Sequence, residues 1–363
     1  MSRNTVAKIN LAAIKHNYLY AKSCVPYAQA VAIVKANAYG HGSAEVAKYL
    51  DDTVDLFGVA CIEEALEIRQ AGVKSPILLL EGVFEFDEIE VANNNNFFIC
   101  VTSEEGLKWI LSVSPQEPLT LFLKYDSGMG RLGFQDDTLL DAFEKLSSSN
   151  NIKEIVLMTH FACADEVTSL VTDKQMHKID SFYKALKSYN NKTKLSISNS
   201  AGVLTKVCQS QDFIRPGIML YGASPVDTNQ HDIHLLTAMT VTAPIISIKK
   251  YTEGDSIGYG GTFICPKDMT VGVVAFGYGD GYPRHAITGT PVYLNGLITH
   301  IVGRVSMDML TIDLTHIPNI NINDRVELFG ENVSINDVAR CADTISYEIY
   351  TKITKRVYRE YLY

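Results

Sequence analysis

Long apolar runs and paired cysteines are both missing from this chain of 363 residues. No stretch reaches the roughly 18 uncharged residues that would span a bilayer, so no membrane is expected as a partner. The first residues, Met1-Ser-Arg-Asn-Thr-Val-Ala-Lys, lack the apolar core of a secretory leader. The seven cysteines (Cys24, Cys61, Cys100, Cys163, Cys208, Cys265 and Cys341) are scattered, and none forms a C-x-x-C pair. A structural metal and a disulfide framework are therefore both disfavoured, and the odd, dispersed set fits a reducing cytoplasm. Basic residues are outnumbered, with 32 Lys and Arg against 41 Asp and Glu, a formal charge of -9. Without a basic cluster, nucleic acid is not an expected partner. A small anion remains possible, because a few local Arg and Lys can hold one inside an acidic protein. Internal repeats are absent.

What is present is an ordinary globular composition, 47% hydrophobic and 20% charged, long enough for one large domain and a smaller one. Short, nearly continuous apolar runs recur at Ala30–Ala36, Leu56–Ala60, Pro76–Leu80, Phe97–Val101, Leu119–Lys124, Ile155–Phe161, Leu195–Asn199 and Asp212–Arg215. Strands buried on both faces of a parallel sheet read this way. Helix-like segments such as Ser43–Leu50, Ile62–Ala71 and Lys174–Ser188 lie between them. Eight strands with helical connections predict an α/β fold, a closed (β/α)8 barrel, with an open doubly wound sheet as the competitor. After about residue 235 the texture changes to strand-like runs at Thr240–Ile248, Thr270–Ala275, Thr299–Val302, Leu310–Leu314 and Arg325–Phe329. Gly and Asp turns separate them, which predicts a mostly antiparallel β domain. The expected division is residues 1–235 for the barrel and 236–363 for the β domain, with residues 1–10 free to add a strand to either.

A barrel of this kind carries its site at the C-terminal ends of its strands. Reactive residues fall there: Lys35 after the first run, Lys124 after the fifth, His160 after the sixth, Asn199 and Ser200 after the seventh, Arg215 after the eighth. Lys35 follows four apolar residues, so partial desolvation of its amine is expected, as a Schiff-base lysine needs. Taken alone, a salt-bridging lysine is the plainer reading. The segment Arg215-Pro-Gly-Ile-Met-Leu-Tyr-Gly suits an anion, since Gly217 lets the backbone approach and N–H groups open a short helix. Pro-Gly by itself also makes a turn. Gly128-Met-Gly-Arg-Leu-Gly fits a dinucleotide fingerprint in letters, but it follows the fifth strand and no acidic residue ends the sixth. It reads as a turn that presents Arg131.

Taken together, the motifs resemble those of the bacterial alanine racemases, barrel enzymes that use pyridoxal 5′-phosphate (PLP). The matching segments are Val34-Lys-Ala-Asn-Ala-Tyr-Gly-His-Gly, Lys124-Tyr-Asp-Ser-Gly-Met-Gly-Arg-Leu-Gly, Thr159-His-Phe-Ala, Asn199-Ser-Ala, Arg215-Pro-Gly-Ile-Met-Leu-Tyr-Gly, Gly258-Tyr-Gly-Gly-Thr-Phe, Gly277-Tyr-Gly-Asp-Gly-Tyr-Pro-Arg and Gly303-Arg-Val-Ser-Met-Asp-Met. They cover almost the whole chain in order. The resemblance implies a cytoplasmic homodimer with shared active sites that interconverts L- and D-alanine by two bases, supplying D-alanine for peptidoglycan. Lys35 would carry PLP and serve as one base, and Tyr259 of the other subunit as the second. Tyr39, Ser200, Gly217, Ile218 and Tyr347 would surround the phosphate. Arg215 would face the pyridine nitrogen, with His160 near the ring. Arg131 and Met307 would hold the carboxylate of a small amino-acid substrate. Lys124 would be carbamylated, the alternative being an unmodified lysine paired with Asp126, and no metal would take part. A serine or broad-specificity racemase of the same fold is the alternative, followed by a PLP decarboxylase and a PLP carrier.

Overall fold

The computed structural model describes residues 3–166, 168–226 and 233–363. Strand β1 (Val6–Asn10) leads into the helix Leu11–Cys24. Asn10 caps that helix, its side chain accepting the Ala13 N–H at 2.9 Å. Eight parallel strands follow: β2 (Gln29–Ile33), β3 (Leu56–Val59), β4 (Ile77–Leu79), β5 (Phe97–Val101), β6 (Leu119–Lys124), β7 (Ile152–Met158), β8 (Lys194–Asn199) and β9 (Phe213–Arg215). They pair in sequence order, and β9 closes on β2 through Gln29–Phe213 and Ala30–Ile214. The barrel is closed. Every residue of β3, β4 and β9 is buried. Strands with no solvent face have no reason to alternate, which is why their sequences read as apolar runs.

The first run departs from expectation. The strand stops at Ile33, and Lys35–Tyr39 form a turn whose residues Ala36–Tyr39 have left-handed backbone, instead of extending the strand to Ala36. Lys35 therefore sits on a turn two residues past the strand end.

The remaining strands are β10 (Met239–Tyr251), β11 (Ser256–Ile257), β12 (Phe263–Ile264), β13 (Met269–Val274), β14 (Pro291–Leu294), β15 (Leu297–His300), β16 (Leu310–Asp313), β17 (Arg325–Phe329) and β18 (Tyr358–Leu362). Together with β1 they form an eight-stranded sheet and a separate β11–β12 pair. The pairing is antiparallel except for β1 beside β18. Asn295-Gly296 joins β14 to β15, both residues at positive φ (49° and 87°), as a two-residue hairpin turn of this twist requires. Two short helices, Ile335–Cys341 and Ser346–Lys352, interrupt this β-rich part. The second packs back toward the barrel, and Tyr350 donates its hydroxyl to the Tyr221 carbonyl at 3.1 Å. Among the described residues no helix is long and apolar enough to cross a membrane, and no cluster of His, Cys, Asp and Glu could hold a metal ion.

Candidate active site

The strand ends converge on a cavity of about 620 Å³. Lys35, Tyr39, Lys124, Arg131, His160, Ser200, Arg215, Gly217, Ile218 and Tyr347 all line it. Three of these follow directly from strand geometry, since β6 ends on Lys124, β9 ends on Arg215, and Ser200 comes straight after β8.

Arg215 is buried, and its fork is spent on neutral acceptors. Nη1 donates to Ser196 Oγ at 2.7 Å, and Nη2 donates to the carbonyls of Thr159 at 2.5 Å and Ile197 at 3.2 Å. Burial lowers its pKa to about 10, which leaves it a cation near neutrality. His160 Nδ1 lies 3.5 Å from Arg215 Nη2. Burial first, and then the surrounding cations, push this imidazole down to about 2, so it is neutral. Gln175, from the helix Leu170–Tyr189, donates to the His160 carbonyl and to Ser127 Oγ, both at 3.0 Å, and fixes the segment from behind.

Lys124 is only 9% exposed. Burial, followed by the charge of Arg215, lowers its pKa to about 8. Asp126, the nearest acid along the chain, does not pair with it. Its Oδ1 accepts the backbone N–H groups of Gly128, Met129 and Gly130 at 3.1, 2.9 and 2.9 Å. That carboxylate therefore shapes the turn carrying Arg131 and leaves the lysine's charge uncompensated.

Across the cavity Ser200 Oγ accepts the Gly217 N–H at 2.8 Å and the Met219 N–H at 3.4 Å. A Cβ on residue 217 would lie 2.8 Å from Tyr39 Oη, so the close approach of these two groups requires glycine there. Tyr39 stacks on Tyr221 with ring centroids 5.0 Å apart and tilts against Tyr347 at 5.9 Å. Burial raises Tyr39 to about 12 and raises Tyr347 as well, which keeps both hydroxyls protonated.

The turn bearing Lys35 and Tyr39 is unusual. Ala36, Asn37, Ala38 and Tyr39 have φ of 51°, 56°, 51° and 50°. Each left-handed L-residue costs about 1–2 kcal/mol, so neighbouring structure must hold this turn. Gly40 continues it at φ 81°, and a Cβ there would lie 2.1 Å from the Tyr350 carbonyl.

Tyr259 and Met307 are not part of this cavity's lining. They are 69% and 54% exposed. Their loops are neighbours, since a Cβ on Gly260 would touch Arg304 at 3.3 Å. Tyr278 and Gly279 donate backbone N–H groups to the carbonyls of Ser306 and Met307 at 3.1 and 2.8 Å.

Glu81, Ile345, Glu348 and Thr351 also line the cavity without having been picked out from sequence. Glu81 directly follows the third apolar run, Pro76–Leu80, so its position at a strand end was a usable signal. Its Oε1 is 3.9 Å from Lys35 Nζ, with side chains 41% and 37% exposed. The other three come from around the short helix Ser346–Lys352, and nothing local to them points to the barrel mouth.

Residues 9–225 match the family model for the alanine racemase N-terminal domain, and residues 238–361 match that for the C-terminal domain. The chain belongs to the alanine racemase family. It is 43% identical over 360 residues to a biosynthetic alanine racemase of Pseudomonas aeruginosa, covering 99% of each chain. The crystal structure of the biosynthetic alanine racemase from that species superposes with a TM-score of 0.94 at 42% identity, covering 99% of this chain and 100% of that one. An alanine racemase from Bartonella henselae, solved with covalently bound pyridoxal phosphate, superposes with a TM-score of 0.88 at 27% identity and 99% coverage of both chains.

Proposed function

We propose that this protein interconverts L- and D-alanine with PLP in the cavity at the barrel mouth. The observation that carries the reading is the meeting of Lys35, Lys124, Arg131, His160 and Arg215 around one cavity, in a chain whose full length matches alanine racemases.

The residues present fit the cofactor. Tyr39, Ser200, Tyr347 and the backbone of Gly217 and Ile218 offer neutral hydroxyls and a glycine cradle, which suit a phosphate. Arg215 has no carboxylate partner among the described residues and offers its guanidinium to an acceptor such as a pyridine nitrogen. Lys35 is the amine that would hold the aldehyde carbon. Bound PLP would supply an electron sink that loosens the α-proton of an amino acid.

The chain's own groups then divide the work. Arg131, with Met307, orients the substrate carboxylate. Lys35 takes and returns the α-proton on the D-alanine face. A tyrosine serves the L-alanine face, and the partner subunit's Tyr259 is the candidate. The exposure of Tyr259 and Met307 and their absence from the lining of their own chain's cavity support a homodimer with shared sites. Arg215 cannot readily give up a proton, so toward the ring nitrogen of the bound cofactor it would act as a hydrogen-bond donor and not as an acid, which would restrain side reactions. Lys124, buried and without a carboxylate partner among the described residues, is suited to carbamylation. The resulting anion would take a charge-assisted bond from Arg131 and hold that side chain toward the substrate.

Purified protein reconstituted with PLP and incubated separately with L-alanine, L-serine and L-lysine, with products resolved by chiral chromatography, tests the reading. D-alanine as the dominant product is expected. Racemisation of serine or lysine in preference to alanine would overturn the substrate assignment.

A further inference from the structure

We propose that Glu64 is a positioning residue that secures the cofactor phosphate at a distance, by latching the left-handed turn that carries Tyr39. The proposal rests on the assignment of Tyr39 to the phosphate.

Glu64 lies in the helix Ile62–Gln70 and is not part of the cavity lining. Its Oε1 accepts the N–H of Ala36, the first left-handed residue, at 2.6 Å. Its Oε2 accepts the N–H of Ala60, in the loop after β3, at 2.8 Å. Each carboxylate oxygen thus holds a backbone donor from a different strand-end loop. Such charge-assisted bonds are short and strong.

Alanine is the best former of right-handed helix, so Ala36 and Ala38 have no local reason to turn left. Other ties flank it: the Val34 N–H donates to the Gly58 carbonyl at 2.9 Å just before the turn, and Arg359 Nε donates to the Gly40 carbonyl at 2.7 Å just after it. Asn37 Oδ1 accepts the Ser43 N–H at 2.9 Å. His41 Nδ1 faces the carbonyls of Ala38 and Tyr39 at 3.0 Å each. Glu64 is the side chain that holds the first left-handed residue, Ala36, to the neighbouring strand-end loop. Once that residue is anchored, the four left-handed residues lead to Tyr39, whose hydroxyl meets Gly217 across the cavity. If the latch is loosened, Ala36 relaxes toward ordinary backbone and the Tyr39 ring leaves the cradle.

Glu64→Gln tests this, because the amide puts a donor against one of the two N–H donors. Apoenzyme is titrated by absorbance with PLP and with pyridoxal, which has the same aldehyde ring and no phosphate. Loss of one charge-assisted bond predicts about 10-fold weaker PLP binding in Glu64→Gln, with pyridoxal binding unchanged. Ala36→Gly, which makes the left-handed backbone cheaper, should restore most of the PLP affinity in the double variant. It also supplies the protein to measure if Glu64→Gln alone does not fold. Tyr39→Phe should weaken the preference for PLP over pyridoxal, and adding Glu64→Gln to it should change nothing further. Equal weakening of both ligands by Glu64→Gln would mark a general structural role and overturn the latch. Full PLP affinity in Glu64→Gln beside a weakened Tyr39→Phe would overturn the latch while leaving the phosphate assignment standing. An unchanged preference in Tyr39→Phe would overturn the phosphate assignment itself.

Discussion

Arg215 Nη2 lies 3.5 Å from His160 Nδ1, and among the described residues no carboxylate pairs with either. Burial, and after it the neighbouring Arg215 cation, keep the imidazole uncharged. The unfolded chain imposes no such restriction, and its histidine protonates near the ordinary value of 6.5. Between about pH 6.5 and the folded value near 2, the unfolded state binds the proton and the folded state does not. Stability contributed by His160 is therefore complete above about 6.5 and falls as the pH drops below it. Replacing His160 with Gln should reduce the acid slope of stability by up to about 1.4 kcal/mol per pH unit. Urea unfolding of the cofactor-free protein at pH 7, 6 and 5 measures it, and identical slopes for variant and wild type would remove the argument.

The proposed sharing of the site between subunits has a quantitative consequence. Lys35→Ala and Tyr259→Phe proteins should each be nearly inactive. Random mixing in equal amounts makes half the dimers mixed, each with one intact and one doubly defective site. Activity should recover to about a quarter of wild type, on the symmetry of a two-fold dimer. No recovery after verified subunit exchange would place both bases in one chain.

The two faces of the substrate can be separated isotopically. In Tyr259→Phe, Lys35 remains able to remove the proton of D-alanine. Deuterium from solvent should enter the α-carbon of D-alanine much faster than that of L-alanine. Mass spectrometry of each enantiomer after brief incubation reads this, and equal loss for both would end the assignment of faces.

Lys124 is set up for a reaction with carbon dioxide. Its lowered pKa, about 8, makes the neutral amine available at mildly alkaline pH, and Asp126 is committed to its turn. Lys124→Ala should lose activity and regain part of it with added acetate, to which wild type does not respond. A carbamate carbon should appear by NMR when wild type is equilibrated with labelled bicarbonate. Absence of that signal in fully active protein would rule the modification out.

The sequence by itself determined the barrel and most of its mouth. β3, β4 and β9 are buried on both faces, and that leaves a run of apolar letters that needs no partner to be seen. Lys124 and Arg215 end such runs, so their convergence follows from closing the sheet. Other features had no local signature. β1 is five ordinary residues, and only its pairing with β10 and β18 places it in the C-terminal sheet. Tyr347 reaches the cavity because the helix Ser346–Lys352 folds back on the barrel from some 130 residues beyond β9. The turn after Lys35 is the sharpest case. Lys-Ala-Asn-Ala-Tyr favours right-handed or extended backbone, and the left-handed conformation exists only where Glu64, His41 and the Tyr350 carbonyl meet it. Glu64 and Tyr350 come from far along the chain. A local preference can be read from neighbouring letters, but a conformation held against that preference is decided by the tertiary structure that opposes it.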